Sequence, residues 1–232
     1  MNILGTPKAN PNMDCKKILD QIEKSVYALV KPYGFTKHGR TLHRFVSEDI
    51  SQVINFQLGQ AYLGYTHLLS VNVGIRVPEC MLRNFEPEEN PKKYYHEYEC
   101  NIRSRLGCVE GKEESCYSFF TPLDLIEADI IRQIRDVVLP VFEDLNSREA
   151  ILQKRRAYPN MDTLNDHLIL LEEAMIYGRC GQLDKASQTL NRHYKLFTTG
   201  QTAQKDRGAI QRHACYIRDL AKQLNIELLD AK

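Results

Sequence analysis

Apolar residues first recur at helical spacing. Ile18, Ile22, Val26 and Leu29 fall three to four positions apart and form one face of an amphipathic helix. Asp14 stands where a cap is needed, and Pro32 with Gly34 closes the helix. Residues 1–12, with Gly5, Pro7, Asn10 and Pro11, read as a loose tail. From position 41 the period drops to two. Thr41–Ser47 is a short mixed strand. In Ile50–Leu58, Ile54, Phe56 and Leu58 share one face, and Val53, Asn55 and Gln57 the other. In Leu68–Val77, Leu69, Val71, Val73, Ile75 and Val77 point one way, and Ser70, Asn72, Gly74 and Arg76 the other. This alternation predicts an antiparallel sheet packed on one face and polar on the other.

Residues 78–93 hold Pro78, Pro87 and Pro91 among Glu and Lys, which predicts a long exposed loop. Tyr95–Arg105 and Cys116–Phe120 read as further strands joined by the turn Gly107–Ser115. Thr121-Pro122-Leu123-Asp124 is a helix start, with Thr as cap and Pro at the first position. Ile126, Ile130, Ile134, Val137, Val141 and Leu145 continue at helical period, so this helix and the first are expected to cover the apolar sheet face.

A short helix over Ser147–Ala157 ends at Tyr158-Pro159-Asn160, where a boundary divides an α+β part, 1–158, from a helical part, 159–232. Residues 1–150 are expected to fold without the rest. The helical part carries three stripes. The first is Leu164, Leu168, Leu171 and Met175. After the turn at Gly178 and Gly181 comes Leu183, Ala186, Leu190, Tyr194 and Phe197. The last is Ala203, Ile210, Ala214, Ile217, Ala221 and Leu224, at near-heptad spacing. The expected fold class is therefore α+β: an antiparallel sheet covered on one face by two helices, then a helical hairpin and a final long helix.

Composition narrows the function classes. Hydrophobic residues are 43% and charged residues 26% of the 232 positions, which suits a packed core. A net charge of +1 and a pI near 7.6 disfavour a dedicated nucleic-acid binder. No run approaches the roughly 20 apolar residues of a membrane helix, and Met1–Asn10 has no signal-peptide core. The seven cysteines, at 15, 80, 100, 108, 116, 180 and 215, then read as reduced thiols in a cytoplasm.

The order helix, Gly34-Phe35, Arg40–Arg44, Val53-Ile54-Asn55-Phe56-Gln57, Val71-Asn72-Val73-Gly74-Ile75 resembles domain-of-unknown-function family 4304, over roughly the first 145 residues. The resemblance implies an α+β fold and no activity or cofactor. A second resemblance, to a single tetratricopeptide hairpin, rests on Ala174, Tyr177, Gly181, Ala186 and Leu190. Glu173 and His193 depart from that pattern, no Trp opens it and no Pro closes it. What it implies is a packing solution, not a peptide-binding superhelix.

The chain has no Gly-rich phosphate loop, Gly-x-Gly-x-x-Gly, Gly-x-Ser-x-Gly or His-Glu-x-x-His, so no cofactor or catalytic residue is assigned. The candidate ligand site is the polar sheet face: Arg44, Asn55, Gln57, Asn72 and Arg76. Amides and forked guanidiniums at fixed spacing suit an anionic or planar ligand. The competing account is a solvated face with ordinary cross-strand pairs.

His96, Cys100, Cys108 and Cys116 lack the close Cys-x-x-Cys pair of a zinc site, so they are read as small buried hydrophobes and no metal is assigned. Cys100 with His96 has no third group to orient a nucleophile. The basic clusters Lys37, His38, Arg40, His43, Arg44 and Lys154-Arg155-Arg156 are read as charged surface, as are the acidic runs 86–89 and 110–114. The expected function is binding, first of another protein. Small bacterial immunity-like proteins are a fold-level analogy for that. A small-molecule binder using the polar face, or an enzyme of unidentified chemistry, are the alternatives.

Overall fold

The computed structural model describes residues 15–47, 49–58, 67–83, 85–86, 88–115, 117–118, 121–161, 166–199 and 207–229. The tail 1–12, the Asp14 cap, Cys116, Leu164 and Ala203 lie outside the described residues.

Helix α1, Cys15–Val30, buries Leu19, Ile22, Val26 and Val30. The strands β1 (Thr36–His38), β2 (Thr41–Phe45), β3 (Ser51–Leu58), β4 (His67–Arg76) and β5 (Ile102–Arg105) pair antiparallel in sequence order. The short strand β6, Tyr117–Ser118, also pairs with β4. Helix α1 packs against β3 and against α3, Leu123–Gln133, so the two helices cover one sheet face together. Leu42, Ile54, Phe56, Val73 and Ile75 lie in the resulting core.

The long helix expected from Thr121 is interrupted. After α3 a π-helical turn, Ile134–Val138, leads into α4, Leu139–Asp144. Pro140 explains the widening: its ring has no N–H and crowds the carbonyl four residues back. Leu139 bonds instead to Ile134, five residues back. Helix α5, Arg148–Lys154, begins where expected, with the Ser147 hydroxyl accepting from the Ala150 N–H at 3.2 Å.

Three expectations change. The segment 78–93 is not simply an exposed loop: Pro78–Leu82 forms a helix, α2, with Pro78, Glu79 and Cys80 buried. Tyr95–Arg105 is a strand only from Ile102; before it runs an irregular stretch with a 3-10 turn at Glu97–Glu99. That stretch covers the second face of the sheet, so Ser70, Asn72 and Arg76 are buried rather than solvated.

The helical part contains α6 (Asp166–Arg179), α7 (Leu183–Thr199) and α8 (Arg207–Gln223). Leu171, Met175, Ala186, Leu190, Ala214, Ile217 and Ala221 bury as their stripes require, whereas Leu183 stays exposed. These helices do not stand apart. One apolar cluster runs from the sheet through Met161 into α6–α8, and α6 packs on α2 and α5.

The basic run at the end of α5 reaches both parts, with Arg155 and Arg156 pairing into α6. Lys154 pairs with Asp144 at 2.5 Å, Arg155 with Glu172 at 2.7 Å and Arg156 with Glu173 at 2.9 Å. Arg155 is 2% exposed, so removing it leaves the Glu172 carboxylate short of a partner in a region poor in water. Arg155→Ala is expected to cost about 3 kcal/mol, against under about 1 kcal/mol for Lys154→Ala at the surface. Urea unfolding of the two variants beside the parent chain measures both.

Candidate functional site

Sheet register sorts the five candidate residues. Asn55 stands opposite Asn72, Gln57 opposite Ser70, and Ser51 opposite Arg76, which puts Asn55, Gln57, Asn72 and Arg76 on one face. Arg44 stands opposite Gln52, next to the pair Leu42 and Ile54, and so belongs to the helix-covered face. There it donates to Gln52 at 2.8 Å, to the Tyr33 carbonyl at 2.7 Å and to Glu143 at 2.6 Å, with its guanidinium 4.9 Å from the Phe35 ring centre. Gln52 in turn donates to the Phe142 carbonyl. Arg44 is a strut between sheet and helices, on the face opposite the other four.

Arg76 is on the expected face but is enclosed. Its guanidinium lies 3.8 Å from the Tyr95 ring centre and donates to Glu88 at 2.9 Å, while the Tyr95 hydroxyl donates to the same carboxylate. Asn55 donates to Thr41, whose hydroxyl meets His96 Nδ1 at 3.0 Å. Tyr94 stacks on His38 with ring centres 4.3 Å apart. The covering stretch thus meets Arg76 through Tyr95, Thr41 through His96 and His38 through Tyr94.

Where the cover ends, a groove of about 620 Å³ remains. Gln57 and Asn72 floor it, with Asn72 donating to Gln57 at 3.3 Å. Arg103 and Arg105 of β5 edge it, facing the same way as Gly74 and Asn72 by register. Lys112 and Asn160 form the far wall. Gln133 of α3 holds that wall's loop through its carbonyl to the Gly107 N–H at 2.8 Å and its amide to Ser115 at 2.9 Å. Gly107 has φ +84°, and a Cβ there would stand 2.2 Å from the Glu113 carbonyl, so the loop needs glycine.

Arg105 pairs with Glu114 at 2.7 Å, and Lys112 pairs with Glu110. Arg103 has no carboxylate partner among the described residues. Arg105 and Lys112 are thus neutralised, and what the groove offers an anion is the single uncommitted guanidinium of Arg103 beside the two floor amides, with Glu97 as the lining carboxylate.

Of the candidate residues, the groove therefore brings together Gln57 and Asn72 and leaves out Arg44, Asn55 and Arg76. Arg103, Arg105, Lys112 and Asn160 were not among the sequence candidates. The alternation of Ile102 and Leu106 with Arg103 and Arg105 was the available signal.

Other expectations resolve as packing. Cys100 is buried, which pushes its thiol far up, and its Sγ meets the His96 carbonyl rather than the ring. A thiol so held is a poor nucleophile. No group of three or more His, Cys, Asp or Glu side chains among the described residues stands together to hold a metal. The cluster from Lys37 to Arg44 is dispersed: Lys37 pairs with Glu23 at 2.5 Å and His43 is 1% exposed.

His43 has its Nε2 buried without a partner. Burial first, then the charges of His38 and Arg76, hold its pKa down to about 4 from 6.5.

The model of a domain of unknown function, DUF4304, matches residues 13–144, more than half of the chain. The chain belongs to that family. No curated protein and no solved structure matches it. No helix among the described residues is long and apolar enough to cross a membrane.

His43 gives the fold a pH dependence. The unfolded chain takes this proton near pH 6.5 and the folded chain only near 4. Stability from His43 is thus full above pH 6.5 and is lost as pH falls toward 4, by about 2.5 kcal/mol at pH 4.5. In urea melts at pH 7.5 and 4.5, His43→Leu is expected to lose less stability than the parent by that amount. Equal losses would show that His43 is protonated at no cost.

Proposed function

We propose that this member of the DUF4304 family is a binding protein and that its groove takes a small anionic ligand. The observation that supports this is Arg103, a guanidinium without a carboxylate partner among the described residues, at the edge of a groove floored by the Gln57 and Asn72 amides. Amides fix the orientation of a polar ligand, and an uncommitted guanidinium supplies a forked pair of donors for a carboxylate or phosphate. The free thiols among the described residues, at Cys80, Cys100, Cys108, Cys180 and Cys215, support a reducing compartment such as the cytoplasm.

A second reading is recognition of another protein, with the exposed leucines of the helical part, Leu183, Leu196 and Leu229, as single contacts for it. A pull-down with Leu183→Glu and Leu196→Glu beside the parent chain distinguishes it, since a partner held there is lost from the variants.

The groove reading is tested by thermal shift with inorganic phosphate, AMP and citrate. An anion present at a hundred times its dissociation constant adds about 2.7 kcal/mol, which is a rise of roughly 5–10 °C for a chain of this size. The double variant Arg103→Gln, Gln57→Ala is expected to melt near the parent temperature and to lose the rise. No shift with any of the anions, or an equal shift in the variant, counts against the groove.

A further inference from the structure

A second cavity, of about 360 Å³, lies between the sheet's covering stretch and the helical part. It is distinct from the groove in shape and chemistry. Met81 follows Cys80 in α2 on one side, and Leu168, Leu171 and Met175 of α6 stand on the other. Tyr98 and Tyr216 add two aromatic rings. These walls are apolar and, through their methionines, adaptable in shape.

The charged groups at this cavity are unequal. The Glu172 carboxylate is already held, by Arg155 at 2.7 Å and by the Asn101 amide at 2.9 Å. His213 is engaged by His193, with the two Nε2 atoms 2.9 Å apart. Arg83 and Arg103 also line the cavity, and neither has a carboxylate partner among the described residues.

Arg83 has a further peculiarity. It closes α2 with φ 56° and ψ 33°, in the left-handed region that an arginine seldom occupies. A glycine would make that turn without strain. The arginine instead carries a guanidinium to 5.8 Å from the Tyr216 ring centre, at the cavity. Backbone strain of this kind is often found where a side chain serves a site.

We propose that this cavity binds a small amphipathic carboxylate, with its aryl or short acyl chain against Met81, Leu171 and Met175 and its anionic end at Arg83 and Arg103. The proposal does not rest on the groove reading. Arg103 lines both sites, but Arg83 belongs to this cavity and Arg105 to the groove.

The probe is 4-phenylbutyrate, titrated into full-length protein labelled with 13C at the methionine methyls. Met81 and Met175 line the cavity, whereas Met161 is buried away from it and serves as the internal control. The expected result is saturable shifts at Met81 and Met175 with Met161 unmoved, and none with 4-phenylbutylamine. Arg83→Gln is expected to weaken binding about tenfold, the usual scale for one charge-assisted hydrogen bond, while Arg135→Gln, at an exposed arginine that lines neither site, leaves it unchanged. Arg83→Gly, which relaxes the left-handed backbone, is expected to keep or raise the melting temperature and still lose affinity. The proposal is overturned if the amine binds as well as the acid, if Met161 shifts alongside the others, if the parent chain does not saturate, or if both Arg83 variants bind like the parent.

Discussion

Strand β4 is buried on both faces, and one of those faces is polar. Leu69, Val71, Val73 and Ile75 meet the helices, while Ser70, Asn72 and Arg76 are each less than 9% exposed on the other side. Burying a guanidinium demands a partner, since an unpaired charge away from water is costly. Glu88 and Tyr95 meet that demand for Arg76, Tyr95 from the covering stretch and Glu88 from the segment that leads into it. The stretch is therefore held by the polar face as much as it covers it. Toward Gln57 and β5 it ends, and there the same polar face becomes a groove.

The covering stretch also joins the sheet to the helical part. Asn101 accepts from the Val77 N–H at 2.8 Å and donates to Glu172 of α6. Glu172 receives Arg155 as well, so one carboxylate ties the end of β4, the exit from α5 and α6 together. Arg148 makes a similar tie, donating to Glu79 at 2.8 Å and to Asp49 at 2.8 Å. Both cavities sit along this seam, and Arg103 borders each. Carboxylates elsewhere along the seam are engaged by arginines, which is what makes the two uncommitted guanidiniums at the cavities chemically distinctive.

Much of the fold was legible in the chain because period alone identifies a face. The alternation in β4 placed its core residues correctly, whereas the stripe in α1 found Ile22 and Val26 but put Ile18 and Leu29 where the core takes Leu19 and Val30. Arg44 was misplaced because alternation gives the phase within a strand and not between strands. The register Phe45 to Ser51 sets that phase, and it turns Arg44 and Gln52 into the core together. The covering stretch was missed because Tyr95–Arg105 read as one strand and the Pro, Glu and Lys before it as an exposed loop. Its Tyr94, Tyr95, His96 and Tyr98 were the contrary signal: rings this dense need a surface to stack on. Of the candidate site, the amide floor was readable. The cationic edge was not, because Arg103 and Arg105 reach the floor through a pairing that joins residues about thirty positions apart.

Gly74 shows how closely the two layers must approach. It is a glycine in the middle of a buried strand, normally a weakness. A Cβ there would stand 2.7 Å from Cys100 Cβ and 2.8 Å from its Sγ. The missing side chain is the space into which Cys100 fits, and Cys100 is the residue before Asn101. Any side chain at 74 would lift Cys100, and lifting Cys100 would move Asn101 off both Val77 and Glu172. It would also disturb Arg103, which stands opposite Gly74 in the register. The strand's weakest residue by propensity therefore seats the cover, aligns the helical part and sets the edge of both cavities. The polar face can be sealed because one position on it has no side chain.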